Sequence, residues 1–222
     1  MEYIVKENME NEILSSKPED TKQKILRAAR EEFSEYGFHG ARVDRIAELA
    51  GINKRMLYAY FGNKEDLYKK ILLDVYRSLG VREEALMEKD RNESPDKAIA
   101  NVIDLYFDFL TNNEKFVRML MWENLNYARC LAETGEQNIK KSMIDYVELK
   151  IAQGKQMGIF REDVLADRVT TALLTFVFSY FSNRHTLSMT LGRNLADIKE
   201  INVHRSFVHK LIEGYLKDAD NI

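Results

Sequence analysis

Two short amphipathic segments joined at a glycine constrain the fold of this chain more than any other feature. Residues 46–50 and 54–61 each place apolar side chains four positions apart, as at Leu57 and Phe61. Because residues four apart share one face of a helix, each segment predicts a short helix with an apolar inner stripe. Gly51, between them, suits the left-handed conformation that ends a helix and reverses the chain. The pattern predicts a helix-turn-helix, a module whose second helix typically enters the major groove of DNA.

The outer face of the second predicted helix is basic and aromatic. It carries Lys54, Arg55, Met56, Tyr58 and Tyr60. Such a face suits a phosphate-lined groove better than bulk water. The charge distribution agrees, because residues 21–72 carry 11 Lys and Arg against 7 Asp and Glu, whereas the whole chain has a formal charge of -3. The sequence therefore predicts one DNA-facing module on a mildly acidic body.

An all-helical fold is favoured along the rest of the chain. The 222 residues contain only two prolines, and long stretches rich in Leu, Ala, Glu, Lys and Arg lack the regular turn signals of a β protein. A single cysteine, Cys130, excludes an intramolecular disulfide and fits a reducing cytoplasm. The N-terminus lacks the apolar core of a signal peptide, and the longest uncharged run, residues 169–183, is too short to span a bilayer. We therefore expect a cytoplasmic protein with no membrane partner.

The first helix is predicted ahead of the helix-turn-helix. Asp20 followed by Gln23 resembles a capping box, so we expect the helix to start there. Its inner stripe is formed by Ile25, Ala29 and Phe33.

Capping residues and breaks divide the chain into an arm and two folded parts. Asn63 is placed to cap a helix, because Glu65 and Asp66 follow in its first turn. Ser94 with Pro95 marks the start of another helix after the clearest internal break. The predicted parts are a flexible N-terminal arm at 1–18, a helix-turn-helix DNA-binding domain at 19–66 and a helical ligand-binding and dimerisation domain at 67–222. Later helices are predicted at 95–112, 114–122, 125–156, 165–187 and 200–217.

Residues 21–72 resemble the N-terminal domain of the TetR-family (tetracycline-repressor-like) transcription regulators. The resemblance rests on motifs that occur in order: EYGF at 35–38, RIAELAGINK at 45–54 and LYAYFGNKEDL at 57–67. It covers about a quarter of the chain, and the remainder agrees in length and helical character. It implies an all-α fold in which a three-helix helix-turn-helix domain precedes a larger helical domain. It also implies a homodimer, a ligand pocket in the larger domain, and release of DNA when a small-molecule effector binds.

Carried over residue by residue, the resemblance assigns eight side chains to double-stranded DNA. They are Arg42, Arg45, Lys54, Arg55, Met56, Tyr58, Tyr60 and Lys64. We expect Arg55 to read a base, because a guanidinium can bond guanine O6 and N7 together. Met56 would touch a thymine methyl, and the two tyrosine hydroxyls would bond phosphates. The first two arginines would lie near the backbone, and Lys64 would meet a phosphate at a helix N-terminus.

The chain departs from the family pattern at two places. Ala41 and Arg42 stand where family members often carry Thr followed by Ser or Thr, and losing a side-chain cap costs roughly 1 kcal/mol. The cap is then expected from elsewhere in the chain, and Arg42 could instead contact a phosphate. Family members tend to use small residues at positions 55 and 56, so Arg55 and Met56 imply a distinct operator.

The C-terminal part contains many aromatic and methionine side chains. Candidates for a ligand pocket combine bulk with polar ends, and they are Phe109, Trp122, Asn126, Tyr127, Phe176, Tyr180 and Arg184. Stripes of this kind at helical spacing are also typical of ordinary core. Both interpretations stay open at the level of sequence.

The last two predicted helices carry apolar faces suited to a two-fold interface. These residues are Leu173, Leu174, Val177 and Tyr180, followed by Phe207, Val208, Leu211, Ile212 and Tyr215. A dimer would also place two recognition helices about 34 Å apart, one turn of DNA. The alternative is that these faces form core within one chain.

Catalysis is not expected. The four histidines are scattered, and neither a metal-binding motif, a phosphate loop nor a nucleophile elbow occurs, so no catalytic residue, metal or cofactor is assigned. Cys130 has apolar neighbours typical of a core thiol. The competing hypotheses are a helical ligand-binding or interaction protein without operator-specific DNA binding, and an activator of the same family. The favoured hypothesis is a homodimeric, ligand-responsive repressor of a palindromic operator.

Overall fold

The computed structural model describes residues 18–134 and 141–217. Within these residues the chain forms ten helices and no strand, which confirms the predicted all-α fold. In chain order the helices are α1 (Pro18–Gly40), α2 (Val43–Ala50), α3 (Lys54–Phe61), α4 (Lys64–Lys89), α5 (Pro95–Asn112), α6 (Glu114–Leu125), α7 (Arg129–Ala132), α8 (Lys141–Gln156), α9 (Ala166–Leu191) and α10 (Ile198–Leu216).

Helix α1 begins earlier than its sequence predicts, and it is broken before its end. It starts at Pro18 rather than at Asp20, and a proline in a first turn lacks only an N–H that would have no partner there. The rest of the predicted arm lies outside the described residues. At Gly37 the backbone is non-helical, with φ 64° and ψ -177°. A Cβ atom on Gly37 would lie 2.6 Å from a carbon of the Trp122 ring, so both conformation and close packing favour glycine.

The single helix predicted at 125–156 is wrong in its first part. Helix α6 ends at Leu125, and the next turn places Tyr127 and Ala128 in the left-handed region, with φ 57° and 54°. These two conformations break the helical hydrogen-bond ladder, and the Ala128 N–H donates back to the Glu123 carbonyl at 2.7 Å. Residues 135–140 of the predicted helix lie outside the described residues, and α8 begins at Lys141.

The chain divides into two compact units, and each has its own core. The first unit contains the described residues up to Asp74 together with Trp122–Thr134, and the second contains Val75–Met121 and the described residues from 141 onward. The inner stripe predicted for α1 is confirmed, because its three side chains are fully buried. Other fully buried side chains in the first unit are Ile46, Leu57, Leu67, Tyr68, Ile71 and Leu72.

In the second unit, α5 packs against α8, α9 and α10. A buried ammonium joins α8 to the end of α4, because Lys150 is only 2% exposed and its Nζ donates to the carbonyls of Asp90 at 3.1 Å and Glu93 at 3.0 Å. A cation is favourable at a helix C-terminus, where carbonyl groups lack helical partners. No helix in the described part of the chain is both long and apolar enough to cross a membrane.

Candidate nucleic-acid interface

The turn between α2 and α3 is built as its sequence predicts. Gly51 adopts the left-handed conformation, with φ 68° and ψ 35°, and its N–H donates to the Glu48 carbonyl at 3.0 Å. The Ile52 N–H donates to the Ala47 carbonyl at 3.0 Å, so the end of α2 is closed by backbone bonds. A residue with a Cβ atom would be strained at position 51, and the tight reversal of the chain depends on this glycine.

Helix α3 is held at its start and along its inner face. The Asn53 side chain caps it by accepting a bond from the Met56 N–H at 2.8 Å. Leu57 is fully buried and Phe61 is half-buried, so the inner stripe predicted for this helix is confirmed. The outward side chains are all exposed: Lys54, Arg55, Met56, Tyr58 and Tyr60. One buried leucine therefore leaves most of the helix surface available to a partner.

The missing side-chain cap of α2 is replaced from α1. Arg42 occupies the N-cap position and makes no side-chain cap bond. The buried Glu32 carboxylate accepts the Arg42 backbone N–H at 2.7 Å and the Arg45 Nε–H at 2.8 Å. Both are charge-assisted bonds to one oxygen, so they fix the start of α2 against α1. Sequence reasoning missed Glu32, and its signal was the absent cap at position 42.

Arg45 is consequently engaged within the protein. Its guanidinium also lies 4.1 Å from the centre of the Tyr36 ring, and its Nη2 donates to the Gly40 carbonyl at 3.2 Å. The hydrogen bond to Glu32 raises the pKa of Arg45 above its ordinary value. The Arg45 side chain nevertheless remains 38% exposed.

Two other cations differ in how they are held. The Lys54 Nζ lies 2.8 Å from Asp44 Oδ1, and this hydrogen bond raises the pKa of Lys54. The Lys64 Nζ lies 4.9 Å from the centre of the Phe38 ring, and partial burial lowers the pKa of Lys64. Among the described residues, Arg55 pairs with no carboxylate. The five predicted DNA-facing cations thus range from one bound by the buried Glu32 to one that projects without an ion pair.

The N-terminus of α4 is capped as predicted. Asn63 Oδ1 accepts the Asp66 N–H at 2.9 Å, and Asp66 Oδ2 accepts the Asn63 Nδ2–H at 2.7 Å. This reciprocal arrangement satisfies the first turn and places Lys64 beside it. The positive end of the helix dipole and the ammonium therefore occur together at this edge of the unit.

Three of the seven predicted pocket residues lie in the first unit. Trp122 Nε1–H donates to the Ser34 carbonyl at 3.1 Å, and Asn126 Nδ2–H donates to the Trp122 carbonyl at 2.7 Å. Tyr127 is 95% exposed. The first two therefore make contacts within the helix-turn-helix unit, and the third faces solvent.

The other four predicted pocket residues lie in the second unit. Phe109 is buried, and Tyr180 is buried with its hydroxyl donating to the Leu195 carbonyl at 2.7 Å. Phe176 is 39% exposed, and Arg184 pairs with Glu114 at 3.1 Å. The seven residues are thus divided between the two units.

A small cavity in the second unit has a mostly apolar lining. Its walls are Val102, Tyr106, Met143, Ile144, Val147, Thr170, Leu173 and Leu174. The Thr170 hydroxyl is buried with no hydrogen-bond partner among the described residues, and the Tyr106 hydroxyl donates to the buried Glu83 carboxylate at 2.7 Å. Burial, reinforced by Glu83, raises the pKa of Tyr106. Sequence reasoning missed this cavity, because its lining is spread over three helices with no shared motif.

Family models match both parts of the chain. The model described as "Bacterial regulatory proteins, tetR family" matches residues 25–71, which include the helix-turn-helix. The model described as "Tetracyclin repressor-like, C-terminal domain" matches residues 95–212, more than half of the chain.

Individual relatives support the same assignment. The chain is 33% identical over 180 residues to the HTH-type transcriptional repressor NicS of Pseudomonas putida, which covers 80% of this chain and 83% of NicS. A TetR transcription regulator from Haloarcula marismortui shares the fold with a TM-score of 0.68 at 18% identity, covering 90% of this chain and 100% of its own. FadR from Bacillus subtilis, solved in complex with stearoyl-CoA, has a TM-score of 0.65 at 20% identity, and the match covers 88% of this chain and 99% of FadR. At these identities the two structures support the fold alone.

Proposed function

Because this chain belongs to the tetR family of bacterial regulatory proteins, we propose that it is a homodimeric transcription repressor released from its operator by a small-molecule effector. It would act in the cytoplasm, where bacterial DNA lies. The observation that carries the proposal is the outward face of α3, where basic and aromatic side chains project from a helix anchored by Leu57.

The roles proposed on this face follow from side-chain chemistry. Arg55 is exposed and has no ion pair among the described residues, so its guanidinium is available for a guanine edge. Arg42, at the exposed start of α2, and Lys64, at the start of α4, are suited to phosphates on either side. Tyr58 and Tyr60 are 39% and 37% exposed, and we assign their hydroxyls to the sugar-phosphate backbone.

The test of this proposal is the substitution Arg55→Ala. A duplex is first selected by the wild-type protein from a randomised library, and its affinity is then measured by gel-shift titration. We expect Arg55→Ala to weaken binding by about 1–3 kcal/mol and to relax the preference at one base position, because a bidentate base contact is lost.

Arg168→Ala is the matched control, since Arg168 is 70% exposed on α9 in the second unit. We expect it to leave affinity and preference unchanged. If Arg55→Ala and Arg168→Ala select the same sequences with the same affinity, α3 does not read DNA through Arg55.

The proposed dimer uses the last two helices. The apolar residues predicted for this interface separate into two sets: Leu173, Val177, Tyr180, Val208 and Ile212 are buried in the chain's own core, whereas Leu174, Phe207, Leu211 and Tyr215 are 38–52% exposed. The second set supports the proposal, because exposed apolar side chains on two helices that pack together are typical of a surface that a partner covers.

We place the effector in the second unit, in the cavity beside Thr170. An apolar lining with one unpartnered hydroxyl suits a largely apolar molecule that carries one hydrogen-bonding group. The cavity has a volume of about 10 Å³, room for one water molecule, so the proposal requires α5, α8 and α9 to move apart when the effector binds. The stearoyl-CoA complex of FadR supports a small-molecule site in a protein of this fold. Native mass spectrometry of the purified protein, repeated with the nearly isosteric Thr170→Val to remove the unpartnered hydroxyl, tests the placement. A co-purified mass that survives this substitution would place the effector elsewhere.

A further inference from the structure

One ammonium on the proposed DNA-facing surface is already paired. Asp44 lies in the first turn of α2 and Lys54 is the first residue of α3, and Oδ1 and Nζ are 2.8 Å apart. Their side chains are 76% and 46% exposed, so the pair lies at the surface. It joins the starts of the two helices that form the motif.

This pair differs from the interaction that holds Arg45. Glu32 is almost fully buried and accepts a backbone N–H as well, so its bond to Arg45 is part of the fold. Asp44 accepts no such structural bond from a backbone group in the described chain, and its carboxylate faces solvent. Its main described contact is therefore with a lysine that would otherwise project from α3.

Binding to DNA of arbitrary sequence depends on phosphate neutralisation. Each phosphate that a lysine or arginine neutralises releases condensed counterions and adds about 0.9 to the salt slope of the affinity. The charge of a lysine that pairs with a carboxylate is already partly balanced, so the lysine neutralises a phosphate less fully while it keeps that partner. The carboxylate that remains then repels the same phosphate.

We propose, on the premise of the DNA binding proposed above, that Asp44 restrains Lys54 and so limits the affinity of this protein for DNA of any sequence. Asp44 acts through Lys54 and makes no DNA contact itself. Phosphates carry no sequence information, so the restraint weakens binding to selected and arbitrary duplexes by the same factor. The preference for particular bases depends on Arg55, which this restraint does not involve.

The test is a double-substitution cycle. Wild type, Asp44→Asn, Lys54→Gln and the double variant are titrated with a random-sequence 30-bp duplex and with the duplex selected by wild type, between about 50 and 200 mM salt. We expect Asp44→Asn to bind both duplexes about threefold tighter per subunit. We also expect its salt slope to be steeper by about 0.9 per subunit. Lys54→Gln alone should change the affinity only slightly. In the double variant, the absence of Lys54 should abolish the gain in affinity that Asp44→Asn produces.

Glu48→Gln is the matched control. Glu48 is an exposed acid of the same helix, so its substitution removes the same formal charge without touching the pair. We expect its effect to be smaller than that of Asp44→Asn and to be the same with or without Lys54. Circular dichroism checks that each variant is folded.

Each other outcome contradicts a stated part of the inference. Weaker binding by Asp44→Asn would show that Asp44 orients Lys54 towards a phosphate rather than restraining it. If Asp44→Asn and Glu48→Gln had equal effects that did not depend on Lys54, the change in net charge would explain both. The proposed restraint of Lys54 by Asp44 would then be wrong. Wild type that binds neither duplex would overturn the proposed function itself, and the inference with it.

Discussion

The outward faces of α3 and α10 both expose large side chains, but they differ in what surrounds those side chains. On α3 the exposed tyrosines stand beside Lys54 and Arg55. On α10 the exposed residues recur every four positions and are mainly hydrocarbon: Val203, Phe207, Leu211 and Tyr215. Residues at this spacing form one continuous stripe along a helix.

The difference indicates two kinds of partner. Exposed aromatic area alone does not distinguish a nucleic acid from a protein, because both can cover a ring. Cations and hydroxyls next to the rings favour phosphates and base edges, whereas an unbroken apolar stripe favours a second apolar surface. The contrast supports the two proposals made above, that α3 contacts DNA and that α10 contacts a second copy of the chain.

The largest expected effect concerns the apolar stripe on α10. Phe207→Glu places a charge in the centre of the stripe, where Phe207 is 52% exposed, so folding should be retained while association is lost. A monomer can engage only one half-site, and we expect affinity for the selected duplex to fall by about 10²–10⁴-fold. Light scattering reports the oligomeric state, and gel-shift titration reports the affinity.

Leu149→Glu provides the control for Phe207→Glu. Leu149 is 53% exposed on α8, outside the stripe, and its substitution should leave both the mass and the affinity unchanged. A dimer that persists in Phe207→Glu would show that α10 is not the centre of the interface.

A second prediction concerns the start of α2, the first helix of the helix-turn-helix. Glu32→Ala removes the acceptor of the Arg42 N–H and the Arg45 Nε–H, so a backbone donor and a cation lose a buried partner. We expect the free energy of unfolding to fall by about 1–3 kcal/mol, measured by urea denaturation. Glu48→Ala, at an exposed acid of α2, should change it by less than about 0.5 kcal/mol. Equal losses in the two variants would mean that Glu32 contributes nothing specific to the position of α2.

The helix-turn-helix and the cavity show which features the sequence could predict and which it could not. Gly51, Asn63 and the inner position of Leu57 depend on neighbours a few residues away, and the structure confirms all three. The absent cap at position 42 signals that an acceptor is needed there, but the identity of Glu32 as that acceptor depends on the packing of α1 against α2, which no local pattern encodes. The same reason explains the missed cavity beside Thr170.

The break after α6 was missed for a different reason. Left-handed backbone is usually signalled by glycine, but here Tyr127 and Ala128 adopt it. Two hydrogen bonds to the Glu123 carboxylate stabilise this turn. Its Oε2 accepts the Leu131 N–H at 2.9 Å, and its Oε1 accepts the Tyr68 hydroxyl at 2.9 Å. Because Tyr68 is distant in sequence, periodicity alone predicts a continuous helix there.

The smallest expected effect concerns one hydroxyl on the outward face of α3. Tyr58→Phe removes one hydroxyl from an exposed ring and leaves the buried Leu57 anchor untouched. If that hydroxyl bonds a phosphate, affinity should fall by about 0.5–1.5 kcal/mol for selected and random duplexes alike, because a phosphate contact carries no sequence information. Tyr127→Phe makes the same chemical change at a ring that is 95% exposed in the same unit but lies outside α3. Gel-shift titrations in which both variants bind like wild type would remove the Tyr58 hydroxyl from the interface. A loss confined to the selected duplex would instead make Tyr58 a base-reading residue.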